Sequence, residues 1–308
     1  MPRIRHILNL IRWKNLLMIA LAQVLIKYAL LVPFGVPTAL DWSGFSLLVL
    51  STLCIAAAGN VINDIYDVET DSVNKPDKVI VGKTLSEKTA NNLFIILNVI
   101  GVAIGFYLSH LVDRTGFFAI FVIISALLYV YASYLKQMLL IGNLVISVLV
   151  GLSILIVGLF DLLPVLTALN LETQLVFFKT ILDYAIFAFL INLVRELAKD
   201  LEDIDGDYKA GMNTLPIVIG RERATKVLFV ISLIPLFAVV YYMVMSLYKE
   251  EIAIGYFLLF IVGPLIYVAI KSLNAKTKKE FHHIGNVLKL VMFFGILSLL
   301  LYKYLLIK

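Results

Sequence analysis

The chain has 308 residues, 61% of them hydrophobic and only 15% charged, with a net charge of +5. At a mean hydropathy of +0.98 it is too apolar for a soluble globular domain, in which about a quarter of residues are charged. Membrane topology accounts for the basic excess, so no nucleic-acid partner is expected, and a single cysteine, Cys54, excludes an intrachain disulfide.

The N-terminal stretch "MPRIRHILNLIRWKN" is basic, and no small-residue cleavage site comes after it; it reads as a start-anchor. Apolar runs long enough to cross a hydrocarbon core of about 30 Å are expected near 15–35, 44–63, 91–112, 116–135, 139–160, 176–198, 226–247, 252–270 and 286–306. With the N-terminus inside, the inside segments collect most of the 26 basic residues: Arg3, Arg5, Arg12 and Lys14; Lys75, Lys78, Lys83 and Lys88; Lys136; Arg195, Lys199, Lys209, Arg221, Arg223 and Lys226; Lys271, Lys276, Lys278 and Lys279. The outside loops hold little basic charge beyond Arg114 and Lys249, and carry Asp41, Asp113, Asp161, Glu172, Glu250 and Glu251. This is the positive-inside pattern. The expected fold is an all-α polytopic membrane protein. Nine transmembrane helices surround a central cavity, short cytoplasmic lid segments cover it, and residues 1–308 form one domain. The long inside loops, about 64–90 and 199–225, are where a site would be built, and 161–175 is expected to lie at the far interface. Lys27 and Asp183, inside spans, are expected to snorkel or pair.

The second span runs into "AAAGNVINDIYDVETD". Asn60, Asp64, Asp67 and Asp71 are spaced 4, 3 and 4 apart. On a helix they share one stripe roughly 60° wide. The sixth span ends in "RELAKDLEDIDGDYKAG", where Glu196, Asp200, Asp203 and Asp207 repeat those steps. Both motifs close an outside-to-inside span, so both face the same compartment. One such cluster alone is most simply a solvated loop; two with identical spacing on one side argue for a shared cavity. Carboxylates gathered there repel one another unless cations or protons relieve them. Hard divalent ions such as Mg²⁺ take oxygen ligands and share them with substrate phosphates. Lys75, Lys78, Lys136, Arg195 and Lys199 lie beside the acids and can neutralise outer phosphate oxygens. The combination suits a Mg²⁺-bridged diphosphate carrying a long hydrocarbon tail. A cation or proton path is the alternative of another class, and a scaffold that merely binds Mg²⁺ is a third.

These residues resemble the UbiA-type intramembrane prenyltransferases. "NVINDIYDVETD" fits that family's N-x3-D-x2-D-x3-D motif, and "SVNKPDKVIVGKTLS" is similar to the family's continuation of that motif, with Lys78 where Arg is usual. "KDLEDIDGDYKAGMNTLPIVIGRERA" resembles the second motif and its T-L-P-x-x-x-G continuation. "SYLKQMLLIGN" resembles an L-K-R-x-x-x-x-G-N loop with Gln137 in place of Arg, and "IRWKN" an R-x-x-N entry at Arg12 and Asn15. Within the family, the second motif is most similar to the branch that makes archaeal-type ether lipids.

The resemblance implies Mg²⁺-dependent transfer of a polyprenyl group, geranylgeranyl in that branch, from its diphosphate to a lipophilic acceptor. That acceptor is a prenylglycerol phosphate in this branch, or else an aromatic quinone precursor or a tetrapyrrole. Asp64, Asp67 and Asp71, with Asn60, are then expected to hold one ion, and Glu196, Asp200, Asp203 and Asp207 the other. Asp64, Asp67, Asp200 and Asp203 are the residues expected to carry catalysis. Asn60, Lys75, Lys78, Lys136, Arg195 and Lys199 are expected to bind the diphosphate. No general base stands out: His6, His110, His282 and His283 lie away from both motifs, the last two as a solvated pair. Tyr66 and Tyr208 are expected as interfacial anchors or walls of an acceptor pocket, and Gly206 and Gly211 as the turn after the sixth span.

Overall fold

The computed structural model describes residues 2–302; the end of the ninth expected span and the side chain of Arg3 fall outside them. Thirteen α-helices succeed one another among the described residues: α1 Pro2–Leu10, α2 Trp13–Leu25, α3 Trp42–Tyr66, α4 Val68–Asn74, α5 Glu87–Leu111, α6 Phe118–Ser133, α7 Ile141–Asp161, α8 Leu171–Lys209, α9 Leu215–Ile219, α10 Arg221–Ser246, α11 Glu251–Phe257, α12 Gly263–Asn274 and α13 Lys278–Leu297. Nine helical stretches among the described residues are long and apolar enough to cross a membrane. Two contain a π-helical turn: α2 continues through one at Ile26–Leu31, and α11 joins α12 through another at Leu258–Val262. Helix starts obey side-chain chemistry. Asp41 accepts from Gly44 N at the head of α3, Ser86 from Thr89 N at α5, and Thr277 with Glu280 forms a capping box at α13.

Two apolar cores hold the helices. One gathers Leu30, Phe45, Leu48, Phe121, Phe160 and Ile181 between α2, α3, α5, α6, α7 and the first half of α8. The other gathers Val194, Leu201, Leu228, Leu265, Phe281 and Leu288 between the second half of α8, α10, α12 and α13. Because α8 belongs to both, it is the beam of the structure. Its 39 residues span about 58 Å at ~1.5 Å per residue, far more than the hydrocarbon core. The expected inside loop at 199–225 therefore begins as helix: the acidic motif stays on α8, and the chain turns only at Gly211, where φ is +68°. Gly206 is not part of that turn.

The far end of the bundle differs from expectation as well. Asp161 is not a loop residue but the fully buried last residue of α7. A short 3₁₀ turn at Leu163–Val165 comes next, and α8 begins at Leu171, so little of 161–175 is a free interfacial segment. Lys27 pairs instead of snorkelling: its Nζ donates to Asp161 Oδ1 at 2.8 Å and to the Leu40 carbonyl at 2.7 Å. Leu40 N also donates to Asp161 Oδ1 at 3.1 Å, and Gln174 Nε2 donates to Pro37 O at 2.9 Å. This clasp joins α2, the 35–41 connection, α7 and α8. Removing one member of a buried pair strands the other charge at a cost of about 3–5 kcal/mol. Lys27→Met is therefore expected to lower the unfolding free energy in detergent by about that amount. A variant unfolding at the wild-type temperature would show that the pair carries no weight.

Candidate active site

The first acidic row survives a bend in its helix. Asp67 sits between α3 and α4 with φ −92° and ψ 4°. The bonds Asp67 N to Asn63 O, 2.9 Å, and Asp71 N to Asp67 O, 2.8 Å, carry the helical register across it. Asn60, Asp64, Asp67 and Asp71 thus face the same cavity as Glu196, Asp200, Asp203 and Asp207 on α8. The cavity holds about 1260 Å³. Its mouth is polar, and its depth is walled by Ile19, Ile55, Phe121, Leu149, Phe187 and Ile191 among others.

Basic residues lock the two rows together. Lys75, one residue past α4, places its Nζ 2.7 Å from Asp203 Oδ2 and 3.7 Å from Glu202 Oε1. Asn74 bridges the same helices: its Nδ2 donates to Asp203 O at 2.8 Å, and its Oδ1 accepts from Gly206 N at 2.9 Å. Lys278 Nζ, from the start of α13, donates to Asn74 O. Lys136, in the 3₁₀ turn after α6, lies 2.6 Å from Asp67 Oδ1, whose other oxygen accepts from Asn63 Nδ2. Arg12 occupies a left-handed turn between α1 and α2, φ 53°, which aims Nη2 at Asp64 Oδ1, 2.8 Å away. Asn60 Nδ2 donates to Ile11 O, fixing the same turn. On α8, Glu196 is gripped by Arg195 at 2.7 Å and Lys199 at 3.6 Å. Asp200 Oδ2 accepts from Asn143 Nδ2 at 2.8 Å. Burial, then the neighbouring Asp67 carboxylate, push the Asp71 carboxyl above its ordinary range, with Lys75 opposing.

The structure brings both rows together with Lys75, Lys136, Arg195 and Lys199 around one cavity, and Lys78 lies exposed at its rim. Gln137, where the resemblance expects Arg, is exposed; its side chain turns back to Ser133 O, and its carbonyl accepts from Asn213 N. Tyr66 is exposed against Tyr129 and Tyr208 is exposed; the tyrosine on the cavity wall near the mouth is Tyr131. His282 is not a merely solvated partner of His283. Its Nδ1 lies 3.1 Å from Glu202 Oε1 at the cavity edge, whereas His283 meets Tyr267 OH outside. Asn74, Asn143, Glu202 and Lys289 also line the cavity and were not singled out from sequence, and His282, which lines it too, was read only as one of a solvated pair. Asn143 was within reach, because it closes the "SYLKQMLLIGN" motif; it lies in the first turn of α7. Gly142 before it lets α7 start against the backbone of 135–136: a Cβ there would stand 2.7 Å from Lys136 Cα and 2.9 Å from Leu135 O.

The donor set suits a hard cation. It is all oxygen, and Asp203 Oδ1 is buried with no hydrogen-bond partner. Among the described residues no three carboxylate, histidine or cysteine groups converge to chelate an ion alone. That is the expected arrangement for Mg²⁺, which takes one or two carboxylates and completes its shell with water and substrate phosphate.

Fold and site together define a polytopic membrane enzyme with a two-row carboxylate mouth over an apolar cavity. The model of the UbiA prenyltransferase family matches residues 24–297, and the chain belongs to that family: it is an intramembrane prenyltransferase. It is 31% identical over 258 residues to digeranylgeranylglyceryl phosphate synthase of Methanosphaera stadtmanae, covering 82% of this chain and 86% of that protein. It is 32% identical over 260 residues to the protein of the same name from Thermococcus sibiricus, covering 83% and 84%. A solved structure of a digeranylgeranylglyceryl phosphate synthase in membranes superposes with TM-score 0.64 at 23% identity, over 97% of this chain and 99% of that one. A UbiA homologue from Archaeoglobus fulgidus, bound to GPP and Mg²⁺, superposes with TM-score 0.58 at 18% identity, over 96% and 99%. Family membership sets aside the transport and scaffold alternatives.

The close passage of α4 over α8 at Gly206 gives a test of the lock. A Cβ there would stand 2.6 Å from Asn74 Cγ and 2.7 Å from Thr70 O. Gly206→Ala is expected to cost about 1–3 kcal/mol of stability by overpacking and to lower prenyl transfer by separating the rows. Adding Asn74→Ala is expected to restore part of the stability, a non-additive result readable by thermal unfolding.

Proposed function

We propose that the enzyme transfers a geranylgeranyl group from its diphosphate to the hydroxyl of a prenylglycerol phosphate, forming an ether. The observation that carries this reading is the Lys75–Asp203 pair joining two carboxylate rows of equal spacing over an apolar cavity. The relatives' name supports the donor and acceptor classes. The distribution of lysine and arginine supports a cytoplasmic mouth and N-terminus in the cell membrane. We take residues 1–308 as one catalytic domain, because α8 is shared by both cores.

One or two carboxylates of each row, with water and the donor's diphosphate, would hold each Mg²⁺: one ion drawn from Asn60 Oδ1, Asp64, Asp67 and Asp71, the other from Glu196, Asp200, Asp203 and Asp207. Bound there, Mg²⁺ supplies Lewis-acid stabilisation of the diphosphate as its bond to the allylic carbon breaks. Lys75, Lys136, Arg195 and Lys199, already within the mouth, donate to phosphate oxygens, and Lys78 meets them at the rim. The bonding pair leaves with the diphosphate. The allylic cation is kept from water by the apolar wall. The acceptor oxygen then bonds to the allylic carbon, and its proton leaves to the released diphosphate or to water at the mouth. Asn143 positions Asp200, and Arg12 positions Asp64. The segment 67–86, resting on the small core of Leu10, Val61, Val81 and Leu85, is the lid.

Asp64→Ala and Asp200→Ala are each expected to reduce product, weighed by mass spectrometry from geranylgeranyl diphosphate and geranylgeranylglyceryl phosphate, by about 100-fold or more. The folded fraction is expected to stay unchanged, and chelation of Mg²⁺ is expected to abolish turnover of the wild type. Normal turnover in both variants would falsify this assignment of the rows.

A further inference from the structure

Five basic residues of the mouth, Arg12, Lys75, Lys136, Arg195 and Lys199, each lie within 4 Å of a carboxylate. Lys289 is different. It is half-buried, lines the same cavity from α13, and makes no hydrogen bond or ion pair among the described residues. Arg195, Arg12 and Lys199 act on it with like charge, and Glu196 with opposite charge. α13 packs along α8 in the opposite direction, since Ser298, just past its end, bonds Tyr184 while His282, near its start, meets Glu202. His282 meets Glu202 at the mouth, and the seven residues from His282 to Lys289 carry α13 about 10 Å further in. Seven residues back along α8 from Glu202 is Arg195, so Lys289 and Arg195 sit at one level, inward of Asp203 and Asp207. Beyond them the same face of α13 turns apolar with Met292 and Ile296.

A lysine in a membrane cavity without its own counter-charge is costly and marks a ligand pathway. The surroundings specify that ligand: an anionic head at Lys289, with a hydrocarbon tail running inward. The volume allows a second amphiphile, since about 1260 Å³ exceeds the roughly 300–1,000 Å³ of a pocket for one drug-sized ligand. The geometry points to Lys289, with Asn286 one turn before it on α13, as the subsite for the phosphate of the acceptor lipid, inward of Asp200, Asp203 and Asp207, which take the donor's diphosphate with the first row. This rests on the prenylglycerol phosphate reading. It also supplies a reason for it, because a neutral aromatic acceptor would leave Lys289 uncompensated.

The test is steady-state kinetics of the full-length enzyme in detergent with Mg²⁺, geranylgeranyl diphosphate and geranylgeranylglyceryl phosphate. Lys289→Gln is expected to raise the acceptor KM about tenfold or more, the size of a lost charge-assisted hydrogen bond. The donor KM is expected to stay within about twofold, which also shows that the variant is folded, and Lys289→Arg is expected to recover most of the loss. An unchanged acceptor KM, or an equal rise for the donor, overturns the assignment. Should the wild type make no product from this acceptor, the acceptor reading itself is wrong and the subsite falls with it. That outcome is visible before any variant is compared.

Discussion

Like-charge repulsion is the constraint on which the architecture turns. At an effective dielectric of about 20, two carboxylates 4 Å apart repel by about 4 kcal/mol, a large share of the stability of any domain. Two rows of acids can share a half-buried mouth only if cations interleave with them. Here the cations come from other parts of the chain: Arg12 reaches Asp64 from the α1–α2 turn, Lys136 reaches Asp67 from beyond α6, and Lys75 reaches across to Asp203 on α8. Neutralising the site and assembling the bundle are therefore one event.

The two ends of the molecule solve different problems. At the far end the Lys27–Asp161 clasp is buried and dry, and it ties α2, α7 and the head of α8 into a fixed frame. At the mouth, α4 and the loops around it are held to α8 by polar bonds from Lys75 and Asn74, and to α13 by one from Lys278. Segments secured by exchangeable polar contacts over a small satellite core open more readily than those secured by deep apolar packing. A rigid frame at one end and a cover held by polar bonds at the other fit the lid role proposed for 67–86.

Much of this was legible in sequence because it is local. Nine apolar runs give nine spans, and the 4, 3, 4 spacing gives two stripes whatever the helices pack against. What was not legible depends on distances between remote segments. Asp161 reads as a loop aspartate until Lys27, 134 positions away, is found beside it. Gly206 reads as a turn residue by propensity, yet it stays helical because Asn74 needs its N–H and its missing side chain. Charge alone made 199–209 look like a loop, while pairing with α4 lets the helix continue. His282 and Lys289 are ordinary polar residues on a helix in sequence, and only the antiparallel register of α13 against α8 sets them at the mouth and further in.

Charge in the cavity is sorted by depth. The wall carries nine carboxylates and nine lysines or arginines, so its formal charge is balanced, yet Lys289, further in than Asp203 and Asp207, has no carboxylate of its own, because Glu196 is already gripped by Arg195 and Lys199. An allylic cation formed on the apolar side of the mouth would be repelled by that inner positive group as long as the group lacks an anion. With Lys289 as the acceptor's phosphate subsite, arrival of the acceptor removes the repulsion and brings the attacking hydroxyl in the same step. Ionisation of the donor is then disfavoured until something other than water is in place to capture the cation. The same lysine would thus govern which acceptor is admitted and when the donor is spent.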